Sequence, residues 1–330
     1  MRIALDAMGG DKAPACTVEG AVLAANEYGY EITLVGQENI IKGLLSEYSY
    51  PEERIRIFNT SEAIGMDEPA ALSVRKKRDS SIVKAVELVK KNEVDAFVSA
   101  GNTGAVVCAA TLSLRLLQGV DRPGIAVVFP TLRKPCLVID VGANIDPKPL
   151  HLLQYGIMGD AYSRHILEKV RPTVGLLNIG EESTKGTGFL KETHMMLGES
   201  KLNFIGNVEP KDVYRGSADI VICDGFVGNV FLKVTEGFAD AASELLKREL
   251  KASSILTKFG ALLTLPAFKK IKREIDATEY GGAPLMGVDG RVIISHGSSN
   301  AKAIKNAVRV AGEYVDHQVN AHIIEELQSF

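Results

Sequence analysis

The sequence predicts an α/β protein, an α/β/α sandwich built around a largely parallel sheet, and three observations carry that expectation. Short β-branched runs recur along the chain and are apolar over nearly their whole length, as strands covered on both faces must be. Helical patterns lie between them, and a parallel sheet needs such crossovers. No internal repeat or low-complexity linker interrupts the alternation over 330 residues, 46% of them hydrophobic. That is enough for a large core in one domain of two lobes.

In order, the strand runs are "RIALD", "EITLVG", "RIRIFN", "DAFVSA", "GIAVVF", "CLVIDVG", "TVGLLN", "LNFIG", "DIVICD" and "RVIIS". Helical patterns fall at 80–91, 103–117, 150–170, 229–251 and 298–327. The last places Ile304, Ala307, Val308, Ala311, Val315, Val319 and Ile323 on one stripe. The expected lobes are 1–145 with 285–330, and 146–284, around a cleft, with a helical hairpin protruding near 250–275.

A formal charge of −3 leaves no overall field for nucleic acid. Cys16, Cys108, Cys136 and Cys223 are far apart and form no C-x-x-C pair, so they read as reduced thiols. Asp6 and Asp11 interrupt any signal-peptide core, and no run reaches the ~18 apolar residues of a spanning helix, so a cytoplasmic protein is expected. G-x-G-x-x-G, G-x-S-x-G and H-E-x-x-H are all absent, which weighs against a dinucleotide fingerprint, a hydrolase elbow and a zinc helix. No metal or cofactor is expected; Asp140, Asp146 and Asp224 are too scattered to argue for magnesium.

Ligands of α/β sheets gather where strands end and helices begin. Five such ends are rich in glycine and polar groups: "DAMGGDK", "SAGNTGA", "NIGEESTKGTG", "DGFVGN" and "SHGSSNAK". Glycine lets backbone approach a ligand, and a following helix aims free N–H groups and a partial positive charge at it. Together they suggest an anion site containing Asp6, Gly9, Gly10, Lys12, Asn102, Thr103 and Gly104. For Asn102 and Thr103 the plain alternative is helix capping. Lys185 precedes Gly186, the reverse of a Walker A loop, so a nucleotide P-loop is rejected. Lys185 brings a point charge to an anion or sits solvated at a helix start. Asp224 and Asn229 form either an oxyanion-holding pair or a strand-end aspartate with an N-cap. His296 follows a strand directly, where an imidazole can move a proton near neutral pH or serve structurally.

Two patches face outward. Arg75, Lys76, Lys77 and Arg78 form a basic run, a solvated face or a dock for an acidic partner. Around Phe259, Leu262, Leu263 and Leu265 an apolar stretch precedes Lys269 and Lys270, with Pro266 expected to break the helix. Apolar tip and basic flank suit a membrane interface; a packed hairpin or a dimer contact is the alternative.

Taken together, "LDAMGGDKAP", "VRKKRDSSI", "SAGNTGA", "IDVGAN", "NIGEESTKGT", "DGFVGN" and "GVDGRVIISHGSS" resemble the phosphate acyltransferases of bacterial phospholipid synthesis, from Met1 to the final helix. The resemblance implies a fold similar to phosphotransacetylases and isocitrate or isopropylmalate dehydrogenases, usually as a homodimer. It implies conversion of long-chain acyl-acyl carrier protein and inorganic phosphate to acyl phosphate, which then passes to a membrane enzyme. Direct attack of phosphate on the thioester fits, because both reactants are already activated and need positioning rather than a covalent nucleophile. In that scheme the glycine loops hold phosphate with Lys185, Asn229 holds the oxyanion, and His296 or Asp224 moves the proton. Arg75 to Arg78 or the basic residues near Lys269 receive the carrier protein, and the apolar tip touches anionic lipid. The rivals are a metal-dependent 2-hydroxy-acid dehydrogenase on a related fold and a non-catalytic, membrane-recruited binding protein.

Overall fold

A computed structural model describes residues 1–275 and 281–329. Among them eleven strands form one sheet. They are β1 (Arg2–Asp6), β2 (Glu31–Gly36), β3 (Ile55–Asn59), β4 (Ala96–Ser99), β5 (Gly124–Phe129), β6 (Cys136–Ile139), β7 (Thr173–Leu177), β8 (Asn203–Val208), β9 (Ile220–Ile222), β10 (Ala283–Met286) and β11 (Val292–Ile294). Their spatial order is β3-β2-β1-β4-β11-β10-β5-β6-β9-β7-β8.

Strand direction decides where the loops go. β3, β2, β1, β4 and β11 are mutually parallel. β10 is antiparallel to both β11 and β5, and β5 is antiparallel to β6. β6, β9, β7 and β8 are parallel to one another. These last four therefore run opposite to the first five, and the two sets of strands end at opposite edges of the sheet. The change of direction falls at β10, β5 and β6.

Alternate strand residues serve opposite faces. On one face Ala4, Phe97, Val138 and Val221 join α4 (Ser81–Lys90) and α5 (Thr103–Leu114) in one core spanning both halves. On the other, Ile3, Leu5, Ile32 and Leu34 pack under α1 (Ala15–Tyr28). Leu137, Ile139, Ile220 and Ile222 pack under α6 (Pro149–His165). The remaining helices are α2 (Glu38–Leu45), α3 (Ala70–Lys76), α7 (Gly188–Glu199), α8 (Pro210–Arg215), α9 (Gly225–Ala252), α10 (Ile255–Ile275), α11 (Ala301–Asp316) and α12 (Val319–Ser329).

Four features depart from the sequence expectations. β10 was not predicted, because "APLM" is short and carries Pro284, yet it ties the two halves together. The long final helix is two, since Gln318 turns the chain at φ 47°. Ile304, Ala307 and Val308 face the α1 core, whereas Val319 and Ile323 face α6. α10 continues through Pro266. Leu262, one turn before, is exposed, so water can take the carbonyl that proline leaves unpaired. Finally, α9 begins four residues before the pattern suggested, at Gly225.

Candidate functional site

At the edge where β1, β4 and β11 end, three loops interlock. Asp6 is fully buried, and its Oδ2 accepts from the Ser99 hydroxyl (2.8 Å) while Oδ1 accepts from the Met8 N–H (3.1 Å). Burial pushes its carboxyl up from the ordinary value against those hydrogen bonds. A Cβ on Gly9 would lie 2.3 Å from Asp6 Oδ2 and 2.7 Å from the Gly101 nitrogen, so only glycine lets these loops touch. Gly10 has φ +113°, and the Asp11 N–H donates to the Gly297 carbonyl at 2.8 Å. Ser295 N–H donates to Ser99 O at 2.8 Å, which closes the third side.

Three helices start here. The N-cap of α5 is Asn102, whose Oδ1 accepts from the Ala105 N–H at 3.0 Å; that of α11 is Asn300, accepting from Ala303 at 2.9 Å. α1 has no side-chain cap. All three ends thus lack a carboxylate cap, and Thr103 and Gly104, in the first turn of α5 where N–H groups have no partner within the helix, lie exposed. Asp11 and Lys12 are exposed beside them.

Asn102 differs from its expected role. Its Nδ2 donates to the carbonyls of Gly65, Met66 and Glu68 at 3.2, 2.9 and 3.0 Å. With Oδ1 engaged as the cap, the side chain clamps the 65–68 loop instead of holding a ligand.

His296 is exposed at the same edge. Its Nδ1 accepts from the Ser298 N–H (3.2 Å) and lies 2.7 Å from Ser298 Oγ, which places the proton of the neutral ring on Nε2. Nε2 faces Glu236 Oε2 at 3.9 Å. Glu236 belongs to α9, which starts at the opposite edge and crosses the sheet to reach this one. Nothing in the sequence marked Glu236, because the pairing joins residues sixty apart.

Lys185, Asp224 and Asn229 are elsewhere. They follow β7 and β9, which run the other way, so within one chain they stand at the far edge from Gly9 and His296. Lys185 is exposed and lies 3.9 Å from Glu182. Asp224 is the N-cap of α9, its Oδ1 accepting from Phe226 and Val227 N–H at 3.0 and 2.9 Å. Asn229 sits in the second turn of α9 rather than at its start, against Gly142. Asp140, wholly buried, accepts from the N–H groups of Ile125, Gly142, Ala143 and Asn144. Both Asp140 oxygens are thus taken by backbone, and Asp224 Oδ1 by two N–H groups of α9. Among the described residues no three His, Cys, Asp or Glu side chains gather as a metal site.

In the basic run Lys77 turns inward, donating to Glu68 (2.5 Å) and to the Ala63 carbonyl (2.7 Å). That contact, with the Gly65 N–H and Ser73 hydroxyl, holds the Glu68 carboxyl down to about 2. Arg75, Lys76 and Arg78 remain exposed. On the hairpin of α9 and α10, Phe259, Leu262, Leu263 and Lys270 are exposed; the side chains of Leu265 and Lys269 lie outside the described ones. No helix among the described residues is long and apolar enough to cross a membrane.

The family model described as "Fatty acid synthesis protein" matches residues 1–322. A phosphate acyltransferase of Geotalea daltonii is 50% identical over 328 residues, covering 99% of this chain and 94% of the relative. One from Dictyoglomus turgidum is 49% identical over 329 residues, covering 99% and 98%. Among solved structures, a phosphotransacetylase from Streptococcus pyogenes superposes with TM-score 0.67 at 17% identity, over 96% of this chain and 94% of that one. A 4-hydroxythreonine-4-phosphate dehydrogenase from Klebsiella pneumoniae gives 0.55 at 12%, over 96% and 97%. At such identities these two likenesses show the fold.

Proposed function

Because this chain belongs to the fatty acid synthesis protein family, among relatives that are phosphate acyltransferases, we propose that it makes acyl phosphate from inorganic phosphate and a long-chain acyl-acyl carrier protein. The observation that carries this reading is the edge of β1, β4 and β11, where three helix N-termini without carboxylate caps meet the Gly9–Gly10 loop and Lys12. Helix dipoles and unpaired N–H groups favour a small anion there.

Phosphate held at that edge needs no covalent help from the chain. One of its oxygens forms the new C–O bond to the thioester carbonyl as the C–S bond breaks. In this reading His296 Nε2–H gives its proton to the departing thiolate, and the hydroxyl proton of the incoming phosphate takes its place on Nε2, with Glu236 beside the ring. The first N–H groups of α5 stabilise the charge that develops on the carbonyl oxygen. Asp6 and Asn102 act behind this surface, fixing the loops that form it.

The test is direct. Incubating the protein with phosphate and an acyl-carrier thioester should yield a product that hydroxylamine traps as a hydroxamate. Absence of hydroxamate, with the donor intact, rejects the reading.

Membrane contact and a homodimer belong to the same proposal. Phe226, Val230, Val234 and Phe238 leave an apolar stripe uncovered along α9, suited to a second copy, and the α10 residues Phe259, Leu262 and Leu263 suit a bilayer surface. Replacing Leu262 and Leu263 with aspartate should release the protein from anionic vesicles with turnover retained. Unchanged co-sedimentation refutes the bilayer contact, and a monomer in sedimentation equilibrium refutes the dimer.

A further inference from the structure

Next to the anion edge lies a cavity of about 480 Å³, within the range of small-molecule sites. It opens where β2 and β3 end, the two strands beside β1, and is lined by Gln37, Glu38, Asn39, Asn59, Thr60 and Ser61. This lining is amide and hydroxyl throughout apart from Ile40 and Glu38, whose carboxylate pairs with Lys42 at 2.7 Å. It contains no aromatic ring on which a base would stack and no cation for a second phosphate. Its ligand is therefore neutral, with amide and hydroxyl groups of its own. Thr60 is 1% exposed, and its hydroxyl has no hydrogen-bond partner among the described residues, unusual for a buried polar group. Gln37 caps α2 without a side-chain hydrogen bond, so its amide is uncommitted.

The cavity is joined to features on both sides. Toward the anion site, a Cβ on Gly36 would lie 2.8 Å from Met8 Cγ, so the residue before Gln37 packs directly on the Gly9 loop. Toward the surface, Ser61 donates to Asp79 Oδ2 through both N–H (2.8 Å) and hydroxyl (2.6 Å), and Asp79 follows Arg78 at the end of the basic run. From the β2/β3 end to the β1/β4 end is two strand spacings, about 10 Å. An extended chain carrying two amides and a hydroxyl spans that distance.

We infer that this cavity receives the pantetheine arm of the acyl donor, the carrier protein resting on Arg75, Lys76 and Arg78 while the thioester is led to the Gly9–Gly10 loop. The inference rests on the acyl-transfer reading above and adds where the arm lies. The test compares one acyl chain on three donors: the carrier protein, pantetheine, and N-acetylcysteamine, which keeps only the thiol end of the arm. In the double variant Gln37→Ala/Asn39→Ala, and separately in Thr60→Val, the preference in kcat/KM for pantetheine over N-acetylcysteamine should fall about fivefold, the size of one or two lost neutral hydrogen bonds. The fall should appear in KM, with Thr60→Ser restoring the preference. An unchanged ratio, or equal loss with both donors, overturns the inference while leaving acyl transfer standing. Failure of the unaltered protein to form hydroxamate from any of the three donors overturns both.

Discussion

At both edges of the sheet strands end in polar residues and hand over to glycine and a helix, yet the two edges differ in what holds the helix starts. At the β1, β4 and β11 edge the caps are neutral: Asn102, Asn300, and none for α1. Where β6 and β9 end, Asp224 takes two N–H groups of α9, the Gly225 N–H donates to the Asn144 carbonyl at 2.9 Å, and Asp140 gathers four more backbone donors, while α7, after β7, is capped by the Thr187 hydroxyl. A capping carboxylate is itself the anion a helix N-terminus attracts. Similar strand-glycine-helix sequences thus give neutrally capped helix starts at one edge and, at the β6 and β9 ends of the other, a junction whose N–H groups are taken by carboxylates.

The largest expected effect breaks the second edge. A Cβ on Gly228 would sit 1.9 Å from the Asp140 carbonyl oxygen, a backbone atom that cannot move aside. Gly228→Ala should lose about 3 kcal/mol or more in urea denaturation. Gly198, inside α7 with nothing within 4 Å, is the control, and Gly198→Ala should be neutral or slightly stabilising. A fully stable Gly228→Ala would show that the Asp140 junction is not rigid.

Next in size, His296→Gln should lower kcat about 100-fold in the hydroxamate assay, as loss of a proton-transfer group does. Lys185→Ala, at the far edge, should change kcat/KM less than about threefold, the scale of an exposed charge. A loss in Lys185→Ala as deep as that in His296→Gln would end the division of labour within one chain and place the far edge of a second copy over this site.

The smallest effect concerns Asp6. Because burial raises its carboxyl above the ordinary 3.8, the folded chain holds that proton more tightly than the unfolded chain does. The stabilisation is therefore full below the ordinary value and is lost as pH rises through the folded one. As pH rises above the ordinary value the unaltered protein should lose stability relative to Asp6→Asn, which has no such titration. Parallel stability curves would mean that the carboxyl is ionised in both states.

Much of this was legible in the chain. Ten of the strands declared themselves as β-branched, largely apolar runs, those inside the sheet because both their faces are buried, and the glycine loops at Gly9, Asn102 and His296 stood out by local composition. The same loop signature also pointed to Lys185, Asp224 and Asn229, since residue content is the same whichever way a strand runs. Asn102 illustrates the limit at one residue: its capping oxygen was predictable from the next three positions, but its amide reaches carbonyls at 65–68, a contact only folding creates.

The sequence by itself determined the α/β class, the strands, the loops able to meet a ligand and the family. Tertiary structure decided which of those loops share an edge. That choice is made by β10, β5 and β6, whose antiparallel pairing reverses the second half of the sheet. Periodicity records how deeply a strand is buried but not its direction relative to a partner a hundred or more residues away, so only the assembled sheet separates the edge of Gly9 and His296 from the edge of Asp140 and Asp224.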